Sequence, residues 1–168
     1  NNEINDIKKI MGLESNKKYN SETIKNTLRY GKLMFMTDQD LDGSHIKALG
    51  LNMFHSLWND LIKIPNFMCF MNTPIIKASK GKNIINFYNE NDYNQWKKNN
   101  SNGWNIKYYK GLGTSTSNEW KNYFKDQKIV YFNYTGNNCN QSIDLVFNKN
   151  KSNDRKIWLQ NYNKNNVL

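Results

Sequence analysis

The 168-residue chain is long enough for one domain with a small extension, and its 38% hydrophobic and 14% aromatic residues supply a core. Its 24 Lys and Arg against 14 Asp and Glu leave a formal charge of +10. That excess favours a polyanion such as nucleic acid, without separating DNA from RNA or from an acidic membrane surface. Cys69 and Cys139 are far apart, with no CxxC pair and no His at zinc-ligand spacing. No apolar run approaches the roughly 20 residues of a membrane helix, and nothing resembles a secretory signal; the expectation is a soluble intracellular protein without structural zinc.

Along the chain, Ile4, Ile7, Ile10 and Met11 recur at helical spacing over Asn2–Met11. A loose polar stretch, 15–21, precedes Ser21-Glu22-Thr23, which can cap a short helix toward Leu28. Leu33-Met34-Phe35-Met36 is a compact apolar run of strand length, and Asp38, Asp40, Asp42 and Gly43 follow directly. Ser44 then opens a helix whose expected buried stripe is Ile46, Leu49, Met53, Leu57 and Leu61. Residues 70–79 and 84–88 read as two strands joined by the turn Lys80-Gly81-Lys82, and 92–98 as a short helix. Trp104, Ile106 and Tyr108 alternate as in a strand, which runs into Gly111-Leu112-Gly113-Thr114-Ser115. A helix over 118–125, a strand over 129–134 and a polar remainder with a helical pattern at 155–159 complete the chain. Asparagine is abundant, in Asn99-Asn100, Asn137-Asn138 and the closing Asn161, Asn163, Asn165 and Asn166. With Lys and Ile it reads as the drift of an AT-rich genome acting on loops. The absence of an initiating Met suggests a fragment.

The aspartates carry the sharpest chemistry. At alternate positions after a strand, Asp38, Asp40 and Asp42 can converge on one small volume, where they repel unless a divalent cation neutralises them. Oxygen ligands suit magnesium, manganese or calcium. The opening Asp38-x-Asp40-x-Asp42-Gly43 matches an EF-hand loop, but the twelfth position is Leu49 instead of Glu and an apolar strand stands where a helix is required. A magnesium site with positions open to phosphate oxygens explains more. His45 can contact a phosphate or pair with a neighbouring carboxylate. Lys47 shares the first helical turn with Ser44, where amide donors favour anions.

Five ordered motifs then resemble the type IIA DNA topoisomerases of eukaryotes and viruses. They are Tyr30-Gly31-Lys32; Met36-Thr37-Asp38-Gln39-Asp40-Leu41-Asp42-Gly43-Ser44-His45-Ile46-Lys47; Thr73-Pro74-Ile75-Ile76-Lys77; Lys107-Tyr108-Tyr109-Lys110-Gly111-Leu112-Gly113-Thr114-Ser115; and Asn153-Asp154-Arg155-Lys156-Ile157-Trp158-Leu159. The resemblance implies an α/β Toprim fold, a Rossmann-like and mostly parallel sheet flanked by helices. Residues 1–28 would lead into it, 29–135 would form it, and 136–168 would extend toward a winged-helix domain absent from this chain.

It implies Asp38 and Asp40 as the main Mg2+ ligands, with Asp42 assisting a second position and Mn2+ or Ca2+ able to substitute. Lys110 would face the DNA path, and Arg155 and Lys156 would contact the DNA backbone, joining His45 and Lys47. The implied reaction is transient double-strand cleavage through a tyrosyl–DNA link, passage of a second duplex and resealing, driven by ATP bound in a domain outside the chain. Double-stranded DNA would be the partner, the full-length enzyme a homodimer without membrane attachment, and its place the nucleus or a virus-infected host cell. By the same resemblance the catalytic tyrosine and a first metal-binding glutamate lie outside the chain, so the fragment alone is expected to be inactive. The rival readings are another Toprim enzyme, a nuclease or primase, and a non-catalytic DNA-binding module.

Overall fold

A computed structural model describes residues 1–100 and 102–162; Asn163, Asn165 and Asn166 lie outside the described residues. Its Cα packing divides the chain into two compact units, Asn1–Phe132 and Asn133–Leu168.

The first unit opens with α1 (Asn2–Met11), capped by the Asn1 side chain and ended at Gly12, whose φ of 76° lies in the left-handed region that glycine tolerates. Helix α2 (Thr23–Thr27) follows. Its N-cap is Glu22, whose side chain makes no capping bond; the Asn20 carboxamide oxygen accepts from the backbone amides of Glu22 and Thr23, and the Asn20 amide donates to the Thr23 hydroxyl. Strand β1 (Leu33–Phe35) leads through the aspartate loop into α3 (Leu41–Leu57) and α4 (Asn59–Lys63), and the chain returns as β2 (Met68–Asn72). This crossover lets β1 and β2 run parallel, with Leu33 opposite Met68 and Phe35 opposite Phe70. Strand β6 (Lys128–Tyr131) pairs antiparallel on the other edge of β2.

The expected strand 70–79 is two strands. The run breaks at Thr73-Pro74-Ile75, where proline removes a ladder donor, and β3 (Ile76–Lys80) joins a second sheet. There β3 lies between β4 (Asn83–Phe87) and β5 (Asn105–Tyr108), antiparallel to both. The mostly parallel sheet is thus corrected: among the described residues only β1 and β2 pair in parallel. The tight link from β3 to β4 reverses the chain and can make only an antiparallel pair. Helix α5 (Glu90–Asn99) covers this sheet, burying Tyr93 with Ile76, Ala78 and Phe87, while Trp96 and Trp104 pack at the margin.

The larger core gathers Phe54, Trp58, Leu61, Ile62, Phe67, Met68, Cys69 and Met71. Full burial of one such side chain stabilises the fold by about 1.5–3 kcal/mol. The buried face of α3 is not the expected one. Ile46, Leu49 and Leu57 remain 52%, 46% and 49% exposed, and Leu61 is buried from α4. Gly43, Gly50 and Phe54 turn inward instead. A Cβ on Gly50 would stand 2.4 Å from the Phe35 ring, so the helix packs through its glycine face, where its backbone can come closest.

Helix α6 (Ser117–Lys125) precedes β6. The second unit holds α7 (Asn137–Phe147), a 3-10 turn at Lys149–Lys151 and α8 (Ser152–Gln160). Among the described residues no helix is long and apolar enough to cross a membrane.

Candidate functional site

The aspartate loop begins where β1 ends, and each of its residues is fixed differently. Thr37, nearly buried, donates its hydroxyl to the Gly43 carbonyl at 3.1 Å, closing the loop on itself. The Gln39 side chain donates to the Met71 carbonyl at 3.1 Å and ties the loop to the end of β2. Asp40 is the N-cap of α3: its carboxylate accepts from the Gly43 amide at 2.7 Å, satisfying a donor the helix cannot use. Asp38 accepts at Oδ1 from the Leu112 amide at 2.7 Å, a contact spanning 74 residues.

Two glycines make room for this arrangement. A Cβ on Gly43 would sit 1.9 Å from the Asp38 carbonyl oxygen, and one on Gly111 would sit 2.7 Å from Asp38 Oδ2. Gly111 has φ 177°, an extended conformation open to any residue, so it is the close approach to the carboxylate that requires glycine there. Gly113 has nothing within 4 Å of the corresponding position.

The three carboxylates do not form one cluster. Among the described residues no group of three or more His, Cys, Asp or Glu side chains comes together as a metal cage. The helix starts at Leu41, which puts Asp42 on its exposed first turn instead of on an extended segment beside Asp38 and Asp40. Equally, no ion pair among the described residues reaches Asp38, Asp40 or Asp42, although the chain is strongly basic. Asp38 Oδ2, Asp40 Oδ2 and both Asp42 carboxylate oxygens accept no hydrogen bond there either.

Of the cations expected to meet DNA, Lys110 and Lys156 are exposed, as is His45 on the first turns of α3. Lys47 is half-buried, and burial lowers its ammonium below the usual lysine range. Arg155 is engaged within its own unit, where Nη1 donates to the Leu145 carbonyl at 3.0 Å and to the Asn148 carbonyl at 2.7 Å, closing the end of α7.

Sequence reading missed Thr37, Gln39 and, above all, Glu119. Thr116 and Glu119 form a capping box at the start of α6, a pattern visible as Thr-x-x-Glu. Only the fold shows the rest. The Glu119 carboxylate, 12% exposed, pairs with Lys77 of β3 and with Lys107 of β5 (2.8 Å), and accepts from the Tyr109 hydroxyl at 2.6 Å. Burial alone would push this carboxyl up; bonds from Lys107, Lys77, Tyr109 and the Thr116 amide outweigh it and hold it far below the usual range. Burial and the bond to Glu119 push the Tyr109 hydroxyl well above its ordinary value.

Residues 71–168 match the family described as the C-terminal associated domain of TOPRIM, a match beginning inside the stretch 29–135 that the resemblance assigned to Toprim itself. The chain is 51% identical over 165 residues to the DNA topoisomerase 2 of Plasmodium falciparum, covering 96% of this chain and 12% of that protein. It is 49% identical over 166 residues to the human DNA topoisomerase 2-beta, covering 96% and 10%. The crystal structure of the P. falciparum topoisomerase II DNA-binding, cleavage and re-ligation domain superposes with a TM-score of 0.91 at 46% identity, over 100% of this chain and 23% of that one. The chain thus spans about a tenth of the length of these curated relatives.

Proposed function

Over residues 71–168 the chain belongs to the family of the C-terminal associated domain of TOPRIM; from this premise we propose that it is the metal-holding, DNA-facing part of an ATP-dependent type II DNA topoisomerase. The whole enzyme would cut both DNA strands through a tyrosyl link, pass a second duplex and reseal the break, acting in the nucleus as a homodimer. The tyrosine and the ATP site belong to parts of the enzyme outside this chain.

The observation that carries the reading is the aspartate loop, where backbone amides position Asp38 and Asp40 and, among the described residues, no ion pair reaches any of the three carboxylates. Oxygen-only donors fit a hard divalent cation. Asp38 and Asp40 would hold Mg2+, with Mn2+ or Ca2+ able to replace it and Asp42 serving a second position. A glutamate from outside the chain would complete a ligand set that these residues leave open. When bound, the ion supplies charge stabilisation for the attacking and leaving oxygens of phosphodiester exchange.

The protein's own contribution is orientation. The Leu112 amide fixes Asp38 Oδ1, Oδ2 accepts no hydrogen bond from the described residues, and the capping bond locks Asp40 to α3. His45, Lys110 and Lys156 offer exposed donors to the phosphate backbone, with smaller shares from the half-buried Lys47 and the internally bonded Arg155. Such contacts bring salt dependence without base preference.

The test is relaxation of supercoiled plasmid by the full-length protein with ATP and Mg2+, beside Asp38→Ala. Relaxation by the parent, lost in a folded variant, is expected. Relaxation that survives Asp38→Ala removes the metal assignment. A folded but inactive parent favours a non-catalytic DNA-binding module, and cleavage without resealing favours a nuclease of the same fold.

A further inference from the structure

We propose that Glu119 is a positioning residue for the Asp38 carboxylate, acting through the glycine loop that joins β5 to α6. The proposal rests on Asp38 as a metal ligand and adds a residue that the motifs do not single out.

Asp38 is oriented by one backbone donor, the amide of Leu112, and by the close approach of Gly111. That loop is short, and Glu119 grips both of its ends. Upstream, its carboxylate holds Lys107 and the Tyr109 hydroxyl, just ahead of Lys110-Gly111. Downstream, Oε2 accepts from the Thr116 amide at 2.8 Å and from its hydroxyl at 3.1 Å. Lys77 adds an anchor on the central strand β3. Among the described residues the backbone bonds within the loop are Thr114 to Gly111 and Ser115 to Leu112, and the Tyr109 amide ties its start to the Ile75 carbonyl at 2.9 Å; the rest of its placement over Asp38 is set by side chains. Glu119 supplies that side-chain part: beside the Tyr109–Ile75 backbone bond, one carboxylate binds the loop's two ends to the second sheet and so helps carry the Leu112 amide to a loop of the first. Support of a ligand through hydrogen-bonded neighbours commonly governs metal affinity.

The experiment is Mn2+ titration of the full-length protein without nucleotide, comparing parent, Glu119→Gln, Tyr109→Phe and Asp38→Asn, with hydrogen exchange measured on peptides spanning 109–116. Glu119→Gln keeps the size of the side chain and removes its charge. Expected are faster exchange over 109–116 and a Mn2+ affinity weakened about tenfold, in line with losses at supporting residues of metal sites. Plasmid cleavage should return when Mn2+ is raised by a similar factor, a rescue that general structural damage does not permit. Tyr109→Phe, which removes one of the bonds to the Glu119 carboxylate, should move the same readouts less and serves if Glu119→Gln fails to fold. Unchanged affinity in both variants, with faster exchange over the loop and Asp38→Asn still weakened, overturns the positioning role while leaving the metal site intact. Unchanged affinity in Asp38→Asn removes the metal reading and the proposal with it.

Discussion

Glu119 and the three aspartates are carboxylates of one basic chain, in opposite circumstances. Glu119 is nearly buried and carries its own counter-charges in Lys77 and Lys107. Asp38, Asp40 and Asp42 meet no cationic side chain in an ion pair among the described residues, and two of them are steered by amides instead. A carboxylate neutralised from within does structural duty, because removing either side leaves a partly desolvated charge. A carboxylate oriented by neutral donors and left uncompensated is ready for a cation from solution. The sheets divide accordingly: the aspartates stand beyond the end of β1 in the parallel pair, and the ion knot joins α6 to the antiparallel sheet.

The largest expected effect breaks the aspartate side. Gly43→Ala drives a Cβ into the Asp38 backbone, which cannot yield as a side chain tip would, and should cost about 3 kcal/mol in denaturant unfolding. Unchanged stability would mean that the loop is not held as described.

Next, Glu119→Ala should cost about 2–3 kcal/mol, below the range for fully buried pairs because Lys77 and Lys107 are 22% and 33% exposed. Its pH signature follows from the sign of the shift. The folded carboxyl sits below its unfolded value, so its stabilisation is present above the unfolded value near 4.3 and drains as pH falls toward the folded one. Between about pH 5 and pH 2 the thermal midpoint of Glu119→Gln should therefore fall less steeply than that of the parent, and parallel curves would contradict the knot.

Asp40→Ala removes the cap of α3 and should cost about 1 kcal/mol, read as a lower unfolding midpoint. Smallest of all, Gly113→Ala should lie within about 0.5 kcal/mol of the parent and retain metal binding, since its added methyl meets open space. A large effect at Gly113 would show that loop flexibility, and not the fit of Gly111 against Asp38, is what the glycines provide.

Sequence by itself carried the local frame of the candidate site. The apolar run, the acidic loop and the following helix were legible because a strand, a turn and a helix each leave a local period or cap; β1 lies within the apolar run, while α3 begins at Leu41, three residues ahead of the expected Ser44, and takes in Asp42. The glycine string was legible as a motif, though not which of its glycines matters. Tertiary structure decided the rest. Leu112 reaches Asp38 across 74 residues and Lys77 reaches Glu119 across 42, and no local period records such a contact. The same holds for the buried face of α3: hydrophobicity points to Ile46, Leu49 and Leu57, but the Phe35 ring fits only where Gly50 has no side chain. Local pattern fixes which groups a segment carries; close approach between distant segments fixes which of them meet.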